Sequence, residues 1–214
     1  MTESKNEYIP ALSFRVLTPF YDFIQKYIVR DIGYKSRLIE LAQIQAGQRV
    51  MDLGCGTGTL AMMAKQAQPQ AEVFGLDADP AMLKMAYAKR DQAKINVAFD
   101  IGFTNDIPYP DESFDHVLSS IMIHHLKTPD KEKTAREVYR VLKPGGQLHV
   151  IDFGKPYTWY GKLLGPFLHE FEEANDNIEG RLPEIFGAPG LKTEIVDHFW
   201  TFFGDLAFLK GEKI

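Results

Sequence analysis

The sequence predicts an α/β fold built on a mostly parallel sheet, and three observations carry that prediction. The buried run Val50-Met51-Asp52-Leu53 leads into a glycine turn, Gly54-Cys55-Gly56-Thr57-Gly58, and then into a segment whose Leu60, Ala61, Met63, Ala64 and Ala67 share one helical face. Strand, turn and helix come in the order that nucleotide-binding folds use. A second strand, Glu72 to Leu76, ends in Asp77. The chain closes on two β-rich runs, Thr193 to Phe202 and Asp205 to Lys210, joined at Phe203-Gly204 by a turn that suits an antiparallel hairpin and is too short for a parallel crossover.

Composition narrows the partners. A chain of 214 residues, 45% hydrophobic and 25% charged, fits one domain with a sizeable core. Its net charge of −5 gives no electrostatic footprint for nucleic acid. A single cysteine, Cys55, excludes an internal disulfide and a cysteine-rich metal site, and its place in the turn reads as a small buried residue rather than a nucleophile. The polar start Met1 to Glu7 lacks the apolar core of a signal peptide, and no run approaches the roughly 20 apolar residues of a membrane span. The expectation is a cytoplasmic protein without a membrane span. Oligomeric state is not legible.

The segment before the turn carries Phe14, Leu17, Phe20, Tyr21, Phe23, Ile24, Tyr27 and Ile28 at helical spacing, interrupted near Pro19. A helix through Leu38, Ile39, Leu41 and Ala42 is expected to end at Ala46-Gly47, with the glycine as cap. In the turn itself, glycine allows positive φ and lets a ligand approach bare peptide N–H groups. Two details argue against a dinucleotide. Thr59 stands where a pyrophosphate fingerprint needs its third small residue, and the carboxylate of Asp52 would repel a pyrophosphate while attracting an ammonium or sulfonium. Asp77 follows Gly58 by 19 residues, where a carboxylate at the end of the second strand accepts from ribose hydroxyls, with Ala78 beside it. Asp79-Pro80 is a helix start, so Asp79 reads as structural, and Met82 in the following turn either packs against an adenine ring or belongs to the core.

A third strand is expected at Asn96 to Phe99 and a fourth at Val117-Leu118, delivering Ser119 and Ser120 to the carboxyl edge where open α/β sheets bind ligands. His124 and His125 lie just beyond. Either can act as a general base near neutral pH, hold a cofactor carboxylate or cap a loop. The amphipathic helix from about Asp130 to Leu142 turns Ala135, Val138 and Val141 inward and Lys131, Glu132, Arg136, Glu137 and Arg140 to solvent, then stops at Lys143-Pro144-Gly145-Gly146 before a strand from Gln147 to Phe153. Further on, His169, Glu170, Glu172, Glu173 and Asp176 scatter round a helix without a metal-ligand spacing, so they read as a solvated face and no metal is expected.

The run D-L-G-C-G-T-G, the turn P-D-E-S-F-D at Pro110 to Asp115 and L-K-P-G-G at Leu142 to Gly146 resemble the class I S-adenosylmethionine-dependent methyltransferases, specifically the methyltransferase type 11 group that includes ubiquinone and menaquinone C-methyltransferases. The resemblance spans roughly Leu17 to the end. It implies a Rossmann-like three-layer sandwich whose seven-stranded sheet has its last strand antiparallel. It also implies S-adenosyl-L-methionine as methyl donor, S-adenosyl-L-homocysteine as product, and a small-molecule acceptor.

By that resemblance, Asp52 and the backbone of Gly54, Cys55 and Gly56 meet the amino-acid end of the cofactor, Asp77 holds the ribose, and Ser120 borders the methyl group. Tyr21 would belong to an arm closing over the cofactor. The sequence departs from the family before Ile107-Pro108, where Phe103 stands in place of the aspartate that accepts from adenine. Adenine would then be held by Asp100, by Asp106, or by backbone at Phe103 and Thr104. The implied division is an N-terminal helical cap (1–46), a cofactor-binding core (47–153), an aromatic acceptor lid (154–192) and a closing hairpin (193–214). The rival readings are a non-catalytic module binding S-adenosylmethionine or a protein partner on the same fold, and a nicotinamide-dependent oxidoreductase.

Overall fold

The computed structural model describes residues 31–159, 174–201 and 204–214. Helix α1 (Asp31–Ala42) precedes β1 (Arg49–Leu53), α2 (Thr59–Ala67), β2 (Glu72–Asp77), α3 (Pro80–Ala93), β3 (Ala98–Ile101) and β4 (Phe114–Ser120). A 3-10 turn (Ile123–His125) leads to α4 (Thr128–Val141), β5 (Leu142–Phe153), the short helices α5 (Asn175–Ile178) and α6 (Leu182–Gly187), and the strands β6 (Leu191–Thr201) and β7 (Gly204–Lys213). The strands form one seven-stranded sheet in the order β3-β2-β1-β4-β5-β7-β6.

Neighbours from β3 to β5 pair in parallel, while β7 pairs antiparallel with both β5 and β6, so the last strand alone runs against the rest. Strand order reverses at β1, with β2 on one side and β4 on the other. The open crevice of such a sheet lies at the carboxyl ends of the strands there. Alternation along β1 feeds both faces: Val50 joins the core under α1, α2 and α3, and Met51 the core under α4 and α6. The result is helix, sheet and helix in three layers.

Several boundaries differ from the sequence reading. Helix α1 stops at Ala42, where Gln43 turns left-handed at φ 48°, and Gly47 (φ 78°) instead shapes the loop into β1, donating to the Gln70 carbonyl at 3.1 Å. Strand β3 starts two residues late. The Lys143-to-Gly146 turn lies inside β5: Phe114 pairs with Leu142 and His116 with Gln147, so the turn is an irregular bulge in that ladder, with Gly145 at φ 75°. Asp79 caps α3 as expected, accepting from the Ala81 N–H at 2.8 Å. No helix among the described residues is long and apolar enough to cross a membrane. The aromatic run of residues 14–28, Tyr21 with it, and most of the aromatic segment proposed as a lid lie outside the described residues.

Candidate active site

The glycine turn leaves β1 with Gly54, Gly56 and Gly58 at φ 71°, 52° and 75°. It is tied to β2 by the N–H groups of Gly54 and Cys55, which both donate to the Leu76 carbonyl at 2.8 and 3.0 Å. Two of the glycines serve different ends. A Cβ on Gly54 would stand 2.3 Å from Cγ of Met122, whereas one on Gly56 would meet nothing within 4 Å. Gly54 thus lets the segment after β4 close down on the turn, and Gly56 presents bare backbone to open space. Gly54→Ala is expected to lower stability by about 1–3 kcal/mol through strain and overlap. Gly56→Ala is expected to cost about 1–2 kcal/mol for its left-handed φ but to lose cofactor affinity disproportionately. Thermal melts and calorimetric titration of both variants separate these effects, and equal affinity losses per unit of destabilisation would contradict the distinction.

Two carboxylates flank the turn. Asp52, 1% exposed, accepts from the backbone N–H of Ala61 at 2.9 Å, satisfying one of the orphan donors in the first turn of α2. Burial pushes its pKa up to about 7, against the pull of Lys35 on α1 and of the Ala61 bond. Asp77 at the end of β2 accepts from Gly56 N–H at 2.7 Å on one oxygen and from Asp79 N–H at 2.9 Å on the other. Burial raises its pKa too, opposed by those same bonds. Ala78, half-buried, follows it, and Met82 is buried in the first turn of α3. Burial, together with Asp52 and Asp77, holds the Cys55 thiol well above its usual value, which removes it as a nucleophile.

The loop after β3 narrows the adenine alternatives. The Asp100 carboxylate accepts from the Tyr109 hydroxyl, the Phe103 carbonyl accepts from Asp106 N–H at 3.2 Å, and the Thr104 hydroxyl pairs with Thr134 at 2.9 Å. The Phe103 ring stays partly exposed, at 37%. Between them Asn105 donates to Asp130 at 3.0 Å while its buried Oδ1 has no hydrogen-bond partner. Nothing in the local sequence marks Asn105, because an amide whose oxygen is left unmatched shows only in the fold.

At the end of β4, Ser119 is buried and donates to the Leu53 carbonyl at 2.9 Å, with Ser120 beside it half-buried at the edge. The next residue, Ile121, is held at φ 50°, a left-handed conformation rare for a β-branched side chain and costing about 1–3 kcal/mol. It re-aims the chain so that Met122 and His124 N–H donate to one oxygen of Asp152 at 3.1 and 3.3 Å. The other oxygen meets His124 Nδ1 at 2.8 Å and accepts from Phe153 N–H at 2.7 Å.

Asp152 is 1% exposed; burial alone would raise its pKa, but the His124 contact and these bonds outweigh it and hold the carboxyl below its usual range. The His124 ring, 5% exposed, lies 4.0 Å from that of His125 and edge-on to Phe153 at 4.9 Å. His124 is thus oriented by the Asp152 carboxylate. Asp152 was read only as the end of a strand; the available signal was an acid closing an apolar strand, as Asp52 and Asp77 nearly close theirs.

Two residues assigned to solvated faces are buried. Lys131 is 0% and Asp176 4% exposed, paired at 3.2 Å, with Thr128 donating to Asp176 at 2.7 Å and Arg181 to its other oxygen. The helix pattern placed Lys131 outward because it could not show that α5 covers the start of α4. Next to Asp176, Asn177 is 1% exposed and neither amide atom has a hydrogen-bond partner, a cost of about 1–3 kcal/mol for each unsatisfied group. Among the described residues no group of three candidate metal ligands forms; His169, Glu170, Glu172 and Glu173 lie outside them.

Comparison with known proteins gives this edge a lineage. The profile of the methyltransferase domain matches residues 50–146, from β1 through the bulge in β5. The demethylmenaquinone methyltransferase of Thermus thermophilus is 35% identical over 189 residues, covering 82% of this chain and 85% of that protein. The demethylmenaquinone methyltransferase of Listeria welshimeri is 38% identical over 160 residues, covering 73% of this chain and 66% of that protein. The crystal structure of a SAM-dependent methyltransferase from Aquifex aeolicus superposes with a TM-score of 0.68 at 19% identity, covering 89% of this chain and 93% of that one, a likeness of fold. With residues 50–146 matched to the methyltransferase domain and a relative this similar over most of both chains, the protein is an enzyme of the S-adenosylmethionine-dependent methyltransferases, the family to which the chain belongs.

Proposed function

We propose that the chain binds S-adenosylmethionine across the carboxyl edge of β1, β2 and β4 and methylates a small, partly apolar acceptor bearing an acidic hydroxyl. The observation that carries the reading is the open face of Gly56 between the carboxylates of Asp52 and Asp77. Bound there, S-adenosylmethionine supplies a sulfonium-activated methyl group, with S-adenosylhomocysteine as product. The residues match such a ligand by charge and space. Asp52 offers a buried negative charge to its ammonium and sulfonium, and the remaining lone pairs of Asp77 accept from the ribose hydroxyls. Met82 and the Phe103 ring flank the adenine, with the unmatched Oδ1 of Asn105 as acceptor for its amino group. The backbone of Gly54, Cys55, Ala78 and Thr104 shapes the wall, and Ser120 borders the methyl. In this reading residues 47–153 are the cofactor core, 154–192 the acceptor cover and 193–214 the closing hairpin, with Tyr21 and the rest of 1–46 as the cap.

His124, oriented by Asp152, takes the proton of the acceptor hydroxyl, leaving an electron pair shared between that oxygen and the ring carbon ortho to it. Asp52, Asp77 and the glycine turn hold S-adenosylmethionine so that its methyl group passes to that carbon and the bonding pair stays on sulfur, and the ring then loses the hydrogen the carbon carried as the oxygen regains a proton. Alignment and exclusion of water do most of the work in such a displacement. Because its relatives are named demethylmenaquinone methyltransferases, a demethylated quinone in its reduced, hydroquinone form is the first acceptor to try. Incubation with S-adenosylmethionine and a reduced prenyl-naphthoquinone should yield a product one methyl heavier and an equal amount of S-adenosylhomocysteine. Product from an alkylamine or protein acceptor, with none from the hydroquinone, would sink the acceptor class.

The Asp52 environment adds a pH signature. Its pKa, raised from 3.8 to about 7 by burial, means that the folded protein holds a proton there that the unfolded chain has lost. That contribution to stability is full below 3.8 and is lost as the pH rises through about 7. A cationic ligand favours the ionised form, so at pH 6 binding of S-adenosylhomocysteine should release up to about one proton. Calorimetry in two buffers of different ionisation enthalpy reads that release. Asp52→Asn should abolish it, and an unchanged release in that variant would place the proton elsewhere.

A further inference from the structure

Asn177 is the one described side chain whose polar atoms are both buried and both without a hydrogen-bond partner; Arg49, Asn105 and His116 each leave one such atom. Its neighbour Asp176 is the opposite case, saturated by Thr128, Lys131 and Arg181. The Thr128 and Lys131 bonds clamp α5 to the start of α4, and Thr128 lies three residues beyond His125. The same short helix packs against the 3-10 turn that carries His124 and His125, and against β5, which delivers Asp152. A fixed helix thus holds an unmatched amide on an element packed against both the turn that carries His124 and the strand that carries Asp152.

From this we infer that Asn177 is a specificity-determining residue for the methyl acceptor, its amide meeting an oxygen of a hydroxyaromatic ring next to the site of proton removal. The inference rests on the reading of the acceptor given above. An amide suits that oxygen in both of its states. Nδ2–H donates to a lone pair of the hydroxyl oxygen, which leaves the hydroxyl proton for His124, and holds the oxyanion more strongly once that proton has passed. A site built to hydrogen-bond an oxygen also rejects analogues lacking it, because its own polar atoms are then left unpaired.

The test uses the full-length protein saturated with S-adenosylhomocysteine and naphthalene-1,4-diol as probe. Asn177→Leu, of similar volume, should weaken diol binding about 10- to 100-fold, the effect of one or two lost hydrogen bonds. Affinity for S-adenosylhomocysteine should stay unchanged and the melting temperature unchanged or higher, since an unsatisfied amide has been removed. In the wild-type protein the Asn177 side-chain amide resonances should move on addition of the diol. Unchanged diol affinity in Asn177→Leu, or wild-type amide resonances that stay put while the diol binds, would overturn the inference. So would a loss that extends to S-adenosylhomocysteine affinity or melting temperature, the mark of a structural role. A wild-type protein that binds the diol through Asn177 but methylates no hydroquinone leaves this inference standing and defeats the proposed reaction; one that methylates the hydroquinone equally well with Leu at 177 does the reverse. Failure of the wild type both to bind and to methylate overturns both.

Discussion

Asp77→Ala is expected to weaken binding of S-adenosylhomocysteine by about 10²- to 10⁴-fold. The figure follows from two charge-assisted hydrogen bonds to ribose hydroxyls, roughly 1.5–3 kcal/mol each, at 1.4 kcal/mol per tenfold. The structure adds a second route to the same loss. Asp77 also holds Gly56 N–H and Asp79 N–H, so its removal frees the glycine turn from the end of β2. Asp77→Asn separates the two, because an amide oxygen still accepts from one of these N–H groups and from one hydroxyl. It should fall between wild type and alanine in affinity while keeping the wild-type melting temperature to within a few degrees. Calorimetry showing wild-type affinity in Asp77→Ala would remove the ribose assignment.

The second large effect belongs to the His124–Asp152 pair. His124→Ala should lower kcat for hydroquinone methylation by about 10²- to 10⁴-fold, the span of general-base contributions, with S-adenosylhomocysteine affinity near wild type. Asp152→Asn should lower kcat as well and should also destabilise the protein, because one oxygen of Asp152 carries the N–H groups of Met122 and His124 and the other that of Phe153. Asp152 also sets a pH signature in stability. Asp152 has its folded pKa held below 3.8, so the stability it supplies is complete above 3.8 and is lost as the pH falls through the lower folded value. Wild-type protein should therefore show no inflection in stability from this residue between pH 5 and 8. A hydroquinone methylation rate that survives His124→Ala would assign proton removal to another group.

What was legible in the sequence was chemistry that acts locally. A glycine turn between a buried strand and an amphipathic helix, an aspartate cap before proline, and a hairpin too short to cross over each state their own geometry, while the seven-stranded sheet and its antiparallel last strand came from the family resemblance. Asp52 and Asp77 were legible as candidates because strand ends at a glycine turn are where such sheets meet ligands. What was hidden depends on partners distant in sequence. Lys131 fits a solvated helix face until α5 lies over it with Asp176. Asp152 is one acid in an apolar strand until Ile121 turns the chain to bring Met122 and His124 onto it. The Lys143-to-Gly146 turn carries every sign of a loop, yet pairing of Leu142 with Phe114 draws it into β5 as a bulge. Phe103 was visible as a departure, but that Asp100 and the Phe103 carbonyl are already engaged, and Asn105 is not fully so, required the fold.

A crystal structure with S-adenosylhomocysteine bound tests the central claim most directly. The account predicts both ribose hydroxyls on Asp77, the ligand backbone against the open face of Gly56, its ammonium on the Asp52 side and its sulfur facing the end of β4 before His124. Ligand density on another edge of the sheet, or a ribose held without Asp77, would contradict it.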